Sequence, residues 1–277
     1  MYEISGREGP IWMEQFDFCL TVLGARGSIP VSHKNVREFG GSTSCYMVRA
    51  GDETIFLDAG TGLIFAPDIP GKAPTILLSH LHLDHVLGLG MYPRLSQPGK
   101  LTHLMLKADS AEQAKEQLSA LYSPPFWPLP LTDYAGDLDV VPLTPSFQIG
   151  EVHVEVDEGR HPGDCAVFRL WYKNKSLVYA SDFEPDDASF SRLASFSRDT
   201  DLLLYDAQYT EDAYPLRKGF GHSTAELGIE LMEQCGAARL LLIHHDPLAF
   251  DDVLSARDHM LGRKNVSYAR ESEMILL

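Results

Sequence analysis

One short run of histidine and aspartate constrains this chain more than any other feature. The run is Ser79-His80-Leu81-His82-Leu83-Asp84-His85, and it follows directly on the apolar segment 75–78, a predicted strand. Alternation along an extended segment points His80 and His82 the same way, and a turn into a helix lets Asp84 and His85 face a neighbouring point. The spacing therefore predicts a site for two metal ions a few ångströms apart at a strand end.

Further imidazoles and carboxylates stand downstream of this run. His161 opens His-Pro-Gly-Asp, Asp182 closes the apolar segment 177–181, and His244 with His245 closes the apolar segment 240–243. Because His244 and His245 are adjacent, only one of them is expected to face the metals.

The pattern H-x-H-x-D-H after an apolar strand resembles the metallo-β-lactamase superfamily, and the resemblance extends from about residue 18 to 277. The segment Phe56-Leu57-Asp58-Ala59-Gly60-Thr61-Gly62 is similar to the D-x-G loop that precedes the metal motif in that superfamily. The resemblance implies an α/β fold of the α+β kind. It is a four-layer αββα sandwich of two mixed β-sheets flanked by helices.

The resemblance also implies the metal ligands. One metal would be held by His80, His82 and His161, and the second by Asp84, His85 and His245, with Asp182 bridging. Imidazole and carboxylate ligands suit zinc, with manganese or iron as alternatives. Asp58 would orient a ligand histidine, or it caps a turn at a strand end. His244 would then support the ligands or pack.

Two other segments are similar to the tRNase Z-like phosphodiesterase branch of the superfamily. Residues 23–30 with 40–44 resemble its N-terminal loop, and residues 219–226 resemble its histidine motif ahead of a helix. This implies that His222 donates a proton to a leaving alkoxide, and its alternative is a capping or packing role. Arg26 is expected to touch phosphate or to be an ordinary exposed arginine.

The chain departs from tRNase Z in one place and from true β-lactamases in another. The tRNA-gripping arm of tRNase Z lies between the positions of His161 and Asp182, where this chain has only twenty residues. The net charge of −16 also disfavours a phosphate-backbone partner, so nucleic acid is the weaker candidate. True β-lactamases commonly place a cysteine at the position of Asp182. No cysteine of this chain replaces a metal ligand, which disfavours hydrolysis of antibiotics. The segment 121–130, rich in proline and aromatic residues, forms an apolar wall for a base or small organic group, or a packing loop.

Composition and pattern complete the expected organisation. A single domain is expected over 1–277, with an N-terminal extension at 1–14 that lacks the apolar region of a signal peptide. The four cysteines form no C-x-x-C pair, and no apolar run reaches the roughly 18 residues of a membrane span. A cytoplasmic location without membrane contact follows.

The predicted strands are 18–23, 44–50, 53–57, 75–78, 152–156, 166–171, 177–180, 201–205 and 239–243, and the predicted helices are 109–121, 223–235 and 248–261. Ser223 is expected to cap the helix 223–235, Glu226 to complete a capping box and Gly236 to end the helix.

These observations predict a dinuclear metal-dependent hydrolase. The favoured reaction is hydrolysis of a small or cyclic nucleotide-like phosphodiester, in which a metal-bound hydroxide oriented by Asp84 attacks phosphorus and His222 protonates the leaving oxygen. The alternatives are a tRNase Z-like 3′ tRNA endonuclease and a glyoxalase II-like thioester hydrolase. A non-catalytic metal-binding effector sensor on the same fold is the alternative from another class. A homodimer is compatible with the sequence.

Overall fold

The computed structural model describes residues 17–277, so the predicted extension 1–14 lies outside the described residues. Within that range the chain forms fourteen strands, five α-helices and several short 3₁₀ helices. The strands are β1 Phe18–Gly24, β2 Cys45–Ala50, β3 Glu53–Leu57, β4 Thr75–Leu77, β5 Leu101–Leu106, β6 Asp137–Pro142, β7 Ser146–Ile149, β8 Val152–Gly159, β9 Cys165–Tyr172, β10 Lys175–Ala180, β11 Leu202–Asp206, β12 Leu240–Ile243, β13 Val266–Tyr268 and β14 Met274–Leu276. The helices are α1 Leu83–Val86, α2 Ala111–Leu121, α3 Asp187–Phe196, α4 Ala225–Cys235 and α5 Asp251–Leu261.

The strands make two mixed sheets of seven strands each. Their orders are β14-β1-β2-β3-β4-β5-β6 and β13-β12-β11-β10-β9-β8-β7. In the first sheet β3 to β6 run parallel, and in the second β10 to β13 run parallel. The carboxyl ends of neighbouring parallel strands therefore lie at one edge of each sheet, which is where ligands bind in such sheets.

Apolar side chains divide the molecule into four layers. Tyr46 and Tyr179 meet between the sheets with ring centroids 5.4 Å apart, inside a fully buried cluster. A second cluster joins the outer face of the second sheet to α3, α4 and α5, for example through Leu231 and Leu254. A third joins the first sheet to α2 through Leu118. The predicted αββα sandwich of two mixed sheets is confirmed. None of the helices in residues 17–277 has the length and apolarity needed to cross a membrane.

The start of α4 differs from the prediction. Its N-cap is Thr224, whose side chain accepts a hydrogen bond from the Leu227 amide, and Ser223 does not form the predicted capping box with Glu226. Ser223 is instead held against β11, because its hydroxyl lies 2.9 Å from the Tyr205 hydroxyl. Gly236 ends the helix in the left-handed conformation with φ 74°, as predicted.

Candidate metal centre

Three polar residues in rare backbone conformations follow strands at the edge where the carboxyl ends of the parallel strands lie. Asp58 follows β3, Asp182 lies two residues beyond β10 and His244 follows β12, with φ of 61°, 51° and 61°. Left-handed backbone is uncommon for residues other than glycine, and it concentrates at functional sites. Each turn redirects the chain as it leaves the sheet, and the three side chains converge between the two sheets.

Three groups of ligand-capable side chains share Asp182. The first contains His80, His82, His161 and Asp182, the second Asp84, His85, Asp182 and His244, and the third Asp182, Asp206, His222 and His244; within each group the ligand atoms lie within 4.8 Å of one another. Asp182 Oδ2 lies 3.7 Å from Nε2 of both His80 and His161 in the first group. Its Oδ1 lies 3.1 Å from His85 Nε2 and 3.2 Å from His244 Nε2 in the second. One carboxylate thus faces the first two groups, as a bridging ligand would.

The structure corrects the assignment of His245, because His244 takes its position in the second group. His245 is fully buried elsewhere, where its Nε2 donates a hydrogen bond to the Ala269 carbonyl at 2.8 Å. Its ring packs against Phe39 and Tyr268. Burial lowers the pKa of His245 to about 3, so this imidazole is neutral. The left-handed turn at His244 is the physical reason, since it sends the first histidine, and not the second, towards Asp182.

Hydrogen bonds from outside the two groups orient their imidazoles. His85 Nδ1 donates to Asp58 Oδ2 at 2.6 Å, and Asp58 also accepts from Ser79 and the Tyr179 hydroxyl. His161 Nδ1 donates to the Gly221 carbonyl at 2.9 Å. Metal-ligating histidines commonly donate their second N–H to such acceptors.

The electrostatics of the second group favour cations. Burial would raise the pKa of Asp182, but the imidazoles of His244 and His85 hold it well below its ordinary value. Burial would lower the pKa of His244, but Asp182 and Asp84 raise it to about 9. The two carboxylates therefore hold protons on the imidazoles, and a metal ion would replace those protons.

The donor set fits a pair of divalent metal ions. His80 is buried and its Nε2 has no hydrogen-bond partner within residues 17–277, which is costly unless another group binds it. Burial lowers the pKa of His80 well below its ordinary value, so the nitrogen is free to ligate. His82 Nδ1 and His161 Nε2 face each other at 3.0 Å, as two ligands of one ion do. Imidazoles and carboxylates in two groups sharing one aspartate suit two ions.

His222 lies against the first two groups and is joined to a residue that sequence reasoning missed. Its ring stacks on His244 at a centroid distance of 4.7 Å and lies 5.3 Å from the ring of His161. Its Nδ1 lies 2.8 Å from Asp206 Oδ2. A carboxylate only accepts, so Nδ1 carries the proton and Nε2 is the second ring nitrogen. The signal for Asp206 was present, since it closes an apolar strand as Asp182 closes 177–181.

Arg26 neither touches the metal groups nor is exposed. Its guanidinium is fully buried and donates to the carbonyls of Gly40, Asp246 and Ala249 at 2.8, 2.9 and 2.6 Å. Both expectations for Arg26 are therefore wrong, because the side chain joins the N-terminal loop to the segment after β12. It is a structural residue.

The segment 121–130 packs through two of its rings, as one of the two alternatives expected for it predicts, and leaves one ring exposed. The Tyr122 hydroxyl donates to the Val86 carbonyl, and Trp127 Nε1 donates to the Tyr134 hydroxyl at 2.7 Å, so these rings pack. Phe126 is 76 % exposed and lines a groove with Leu83. One aromatic ring of the segment is thus free to contact another molecule.

Comparison with known proteins gives consistent relatives. The probable metallo-hydrolase YhfI of Bacillus subtilis is 24 % identical, with 81 % of this chain and 86 % of YhfI covered. The crystal structure of YhfI superposes with a TM-score of 0.72 and 20 % identity, over 93 % of this chain and 98 % of that one. The ribonuclease Z of Haloarcula marismortui is 24 % identical, over 81 % of this chain and 85 % of the relative.

A diphosphatase from the PhnP family has a similar structure, with a TM-score of 0.69 and 18 % identity over 94 % of this chain and 98 % of that one. The model of the beta-lactamase superfamily domain matches residues 53–245, the range that contains both metal-ligand groups and His222. This chain therefore belongs to the beta-lactamase superfamily, in its metallo-hydrolase form.

Proposed function

We propose that this protein is a dinuclear metal-dependent phosphodiesterase that hydrolyses a small or cyclic nucleotide-like phosphodiester. The observation that carries the proposal is the His222–Asp206 pair, whose imidazole stacks on His244 of one ligand group and lies beside His161 of the other. The ligand groups suit hydrolysis in general, whereas an oriented imidazole beside them supplies the proton that an alkoxide leaving group needs. Relatives named ribonuclease Z and diphosphatase support a phosphorus ester over a thioester.

His80, His82 and His161 would hold one divalent ion, and Asp84, His85 and His244 the second, with Asp182 between them. Zinc is the favoured metal, because it suits sites rich in imidazole, and manganese or iron are the alternatives. When bound, the ions supply Lewis acidity towards the phosphoryl oxygens and assist ionisation of the attacking water.

The side chains then divide the remaining work. Asp84 Oδ2 is engaged by the Ser28 amide at 2.6 Å and by His244 at 3.1 Å. Its Oδ1 makes no hydrogen bond within residues 17–277, so it accepts one from the attacking water and orients it. In its imidazolium form, His222 donates the proton on Nε2 to the leaving oxygen. Asp206 stabilises this imidazolium and fixes the orientation of the ring.

Two observations favour a small substrate over pre-tRNA. Between His161 and Asp182 the chain forms only β9 and β10, with no inserted arm. The net charge of −16 opposes the many phosphate contacts by which proteins bind long nucleic acid. The similar ribonuclease Z relative keeps tRNA processing as the second candidate.

The test is a substrate panel on protein reconstituted separately with zinc, manganese and iron. It contains 2′,3′- and 3′,5′-cyclic nucleotides, bis(p-nitrophenyl) phosphate, pre-tRNA with a 3′ trailer and a glutathione thioester. We expect the highest kcat/KM on a small phosphodiester, abolished in Asp182→Ala and retained in His259→Ala, a control histidine that is exposed on α5 and belongs to none of the ligand groups.

Other outcomes would each contradict a part of the proposal. Efficient removal of a tRNA trailer without small-molecule turnover would favour the endonuclease. Thioester turnover alone would favour a glyoxalase II-like enzyme. Full metal loading without turnover of any substrate would favour a metal-binding sensor.

A further inference from the structure

The loop between β11 and α4 is fixed directly onto the metal centre. Glu184 is only 6 % exposed, and its carboxylate accepts hydrogen bonds from the amides of Gly219 and Gly221 at 2.8 to 2.9 Å. The Gly221 carbonyl in turn accepts from His161 Nδ1. Both glycines have positive φ, 91° and 93°, which lets their amides converge on one carboxylate. The loop is therefore a rigid part of the site.

This loop presents one aromatic ring and one guanidinium beside His222. Phe220 is 59 % exposed although it lies between the two anchored glycines. The Arg217 guanidinium carbon lies 6.0 Å from the centroid of Phe220 and 5.8 Å from that of Tyr209. Tyr209 meets His222 edge-on with centroids 5.6 Å apart. Within residues 17–277, no carboxylate forms an ion pair with Arg217 at 4.0 Å or less.

The loop thus places an exposed aromatic ring and a guanidinium side by side near the metal centre of an acidic protein. Burial of an aromatic face against a ligand ring is favourable, and the ring is already held in position, so little conformational entropy is lost on binding. The guanidinium offsets the negative potential of the centre's carboxylates towards an anionic substrate.

We propose that Phe220 and Arg217 recognise the nucleoside on the leaving-group side of the substrate, with Phe220 stacking on the base and Arg217 attracting the phosphate. This inference rests on the proposed function, because a proton donor at His222 puts the leaving oxygen on the side of the centre where this loop lies. In a cyclic nucleotide the leaving oxygen and the base belong to the same nucleoside. The substrate class is thereby narrowed to nucleotides over phosphodiesters without a planar ring.

Phe126 is another exposed phenylalanine, and it lines a groove into which a planar ring would fit. Its groove is lined chiefly by aliphatic side chains such as Leu81, Leu83 and Leu121, and no metal-ligand side chain lines it. Phe220 is two residues from His222 and is joined to His161 through the Gly221 carbonyl. The observations therefore favour Phe220, and Phe126 serves as the matched control.

The experiment compares two product-like probes that differ only in the base, adenosine 5′-monophosphate and ribose 5-phosphate. Their Kd values are measured by calorimetry on the metal-loaded protein. Stacking of one base is worth about 1–3 kcal/mol, so the wild type should bind the adenosine compound roughly 5- to 150-fold more tightly. Phe220→Ala should bring the two Kd values close together, whereas Phe220→Tyr and Phe126→Ala should keep the preference.

Arg217 is tested by its different signature. Arg217→Gln should weaken both probes by a similar factor, because it acts on the phosphate that they share. Lys218→Gln removes the same charge from the same loop, but its Nζ lies 5.6 Å from the Tyr214 ring in a groove with Asp186. It should leave both Kd values almost unchanged.

A retained adenine preference in Phe220→Ala, or its loss in Phe126→Ala, would overturn the inference. If Lys218→Gln and Arg217→Gln weaken binding of the probes equally, Arg217 acts only through the net charge of the loop, and its assigned contact with the phosphate is refuted. Failure of the proposed function is recognised separately, as absence of bis(p-nitrophenyl) phosphate turnover by the wild type. Circular dichroism of each variant shows whether the fold is kept. Phe220→Tyr keeps an aromatic ring at this position, so a folded Phe220→Tyr protein must retain the preference for the adenosine compound.

Discussion

The two sheets contribute to the metal centre in different ways. The first sheet supplies His80, His82, Asp84 and His85 from one continuous run after β4. The second sheet supplies Asp182 and His244 singly, from the ends of separate strands, together with Asp206 behind His222. A continuous run is arranged by local backbone geometry, whereas separate strand ends are brought together only by the assembled sheet. The residues of the run after β4, the first set, thus depend on local geometry, whereas the residues from the strand ends of the second sheet, the second set, depend on the whole fold.

The largest expected effect comes from the residue that joins the two sets. Asp182→Ala removes the oxygen atoms that lie within 3.8 Å of five imidazole nitrogens. Both ions of the proposed site, roughly two per chain, should therefore be lost. Activity should fall by more than the 10- to 100-fold typical of residues that only support a ligand. Elemental analysis after dialysis measures the content. Retention of both ions would show that Asp182 does not bridge.

The adjacent histidines give the sharpest test of the second set. His244→Ala should lose the metal of the Asp84 group together with most activity, because it removes a ligand nitrogen. His245→Ala should keep both ions and instead lower the free energy of unfolding by about 1–3 kcal/mol, since the buried Ala269 carbonyl loses its donor. Metal content and urea denaturation of the two variants separate these results. Metal loss in His245→Ala, with retention in His244→Ala, would reverse the assignment.

This pair also explains what the sequence could and could not predict. The metal-ligating character of the run 80–85 follows from residue type, spacing and the apolar strand before it, whereas the two mixed sheets and the bridging position of Asp182 were implied by the family resemblance. The choice between His244 and His245 depends on one backbone dihedral, a φ of 61° at His244, which no local pattern specifies. The family resemblance favoured the second histidine, and the left-handed turn selected the first.

Asp206 and Arg26 show two other limits. Asp206 is an acid at the end of an apolar strand, but such residues also cap turns, and only the fold brings His222 to within 2.8 Å of it. Arg26 stands in a glycine-rich loop, where an arginine is expected to face solvent. Its three buried carbonyl partners are up to 223 positions away in the chain, so its burial could not be inferred locally.

The proton-donor assignment predicts an effect of intermediate size. His222→Ala should lower kcat about 10²- to 10⁴-fold while both ions and the fold are kept. The deficit should be smaller for a p-nitrophenolate leaving group, which needs little protonation, than for a ribose alkoxide. Asp206→Asn should show the same dependence on the leaving group, because it removes the charge that stabilises the imidazolium. An equal deficit for both leaving groups would mean that His222 binds phosphate or shapes the site.

The smallest effect is expected at the support of the first set, where Asp58 accepts hydrogen bonds from His85, Tyr179 and both the amide and hydroxyl of Ser79. Asp58→Asn places an amide N–H₂ among these donors, so one of them loses its acceptor and His85 is less firmly oriented. We expect a 10- to 100-fold loss of affinity for the metal of the Asp84 group, with the other ion retained.

Tyr179→Phe is the matched control. It removes one of these donors but leaves the His85–Asp58 pair intact, so it should cost about 0.5–1.5 kcal/mol of unfolding free energy without loss of metal. Chelator competition, followed separately for the two ions, distinguishes these results. If both ions weaken equally in Asp58→Asn, the two ligand groups are coupled through Asp182, and the first set is not organised by its local contacts alone.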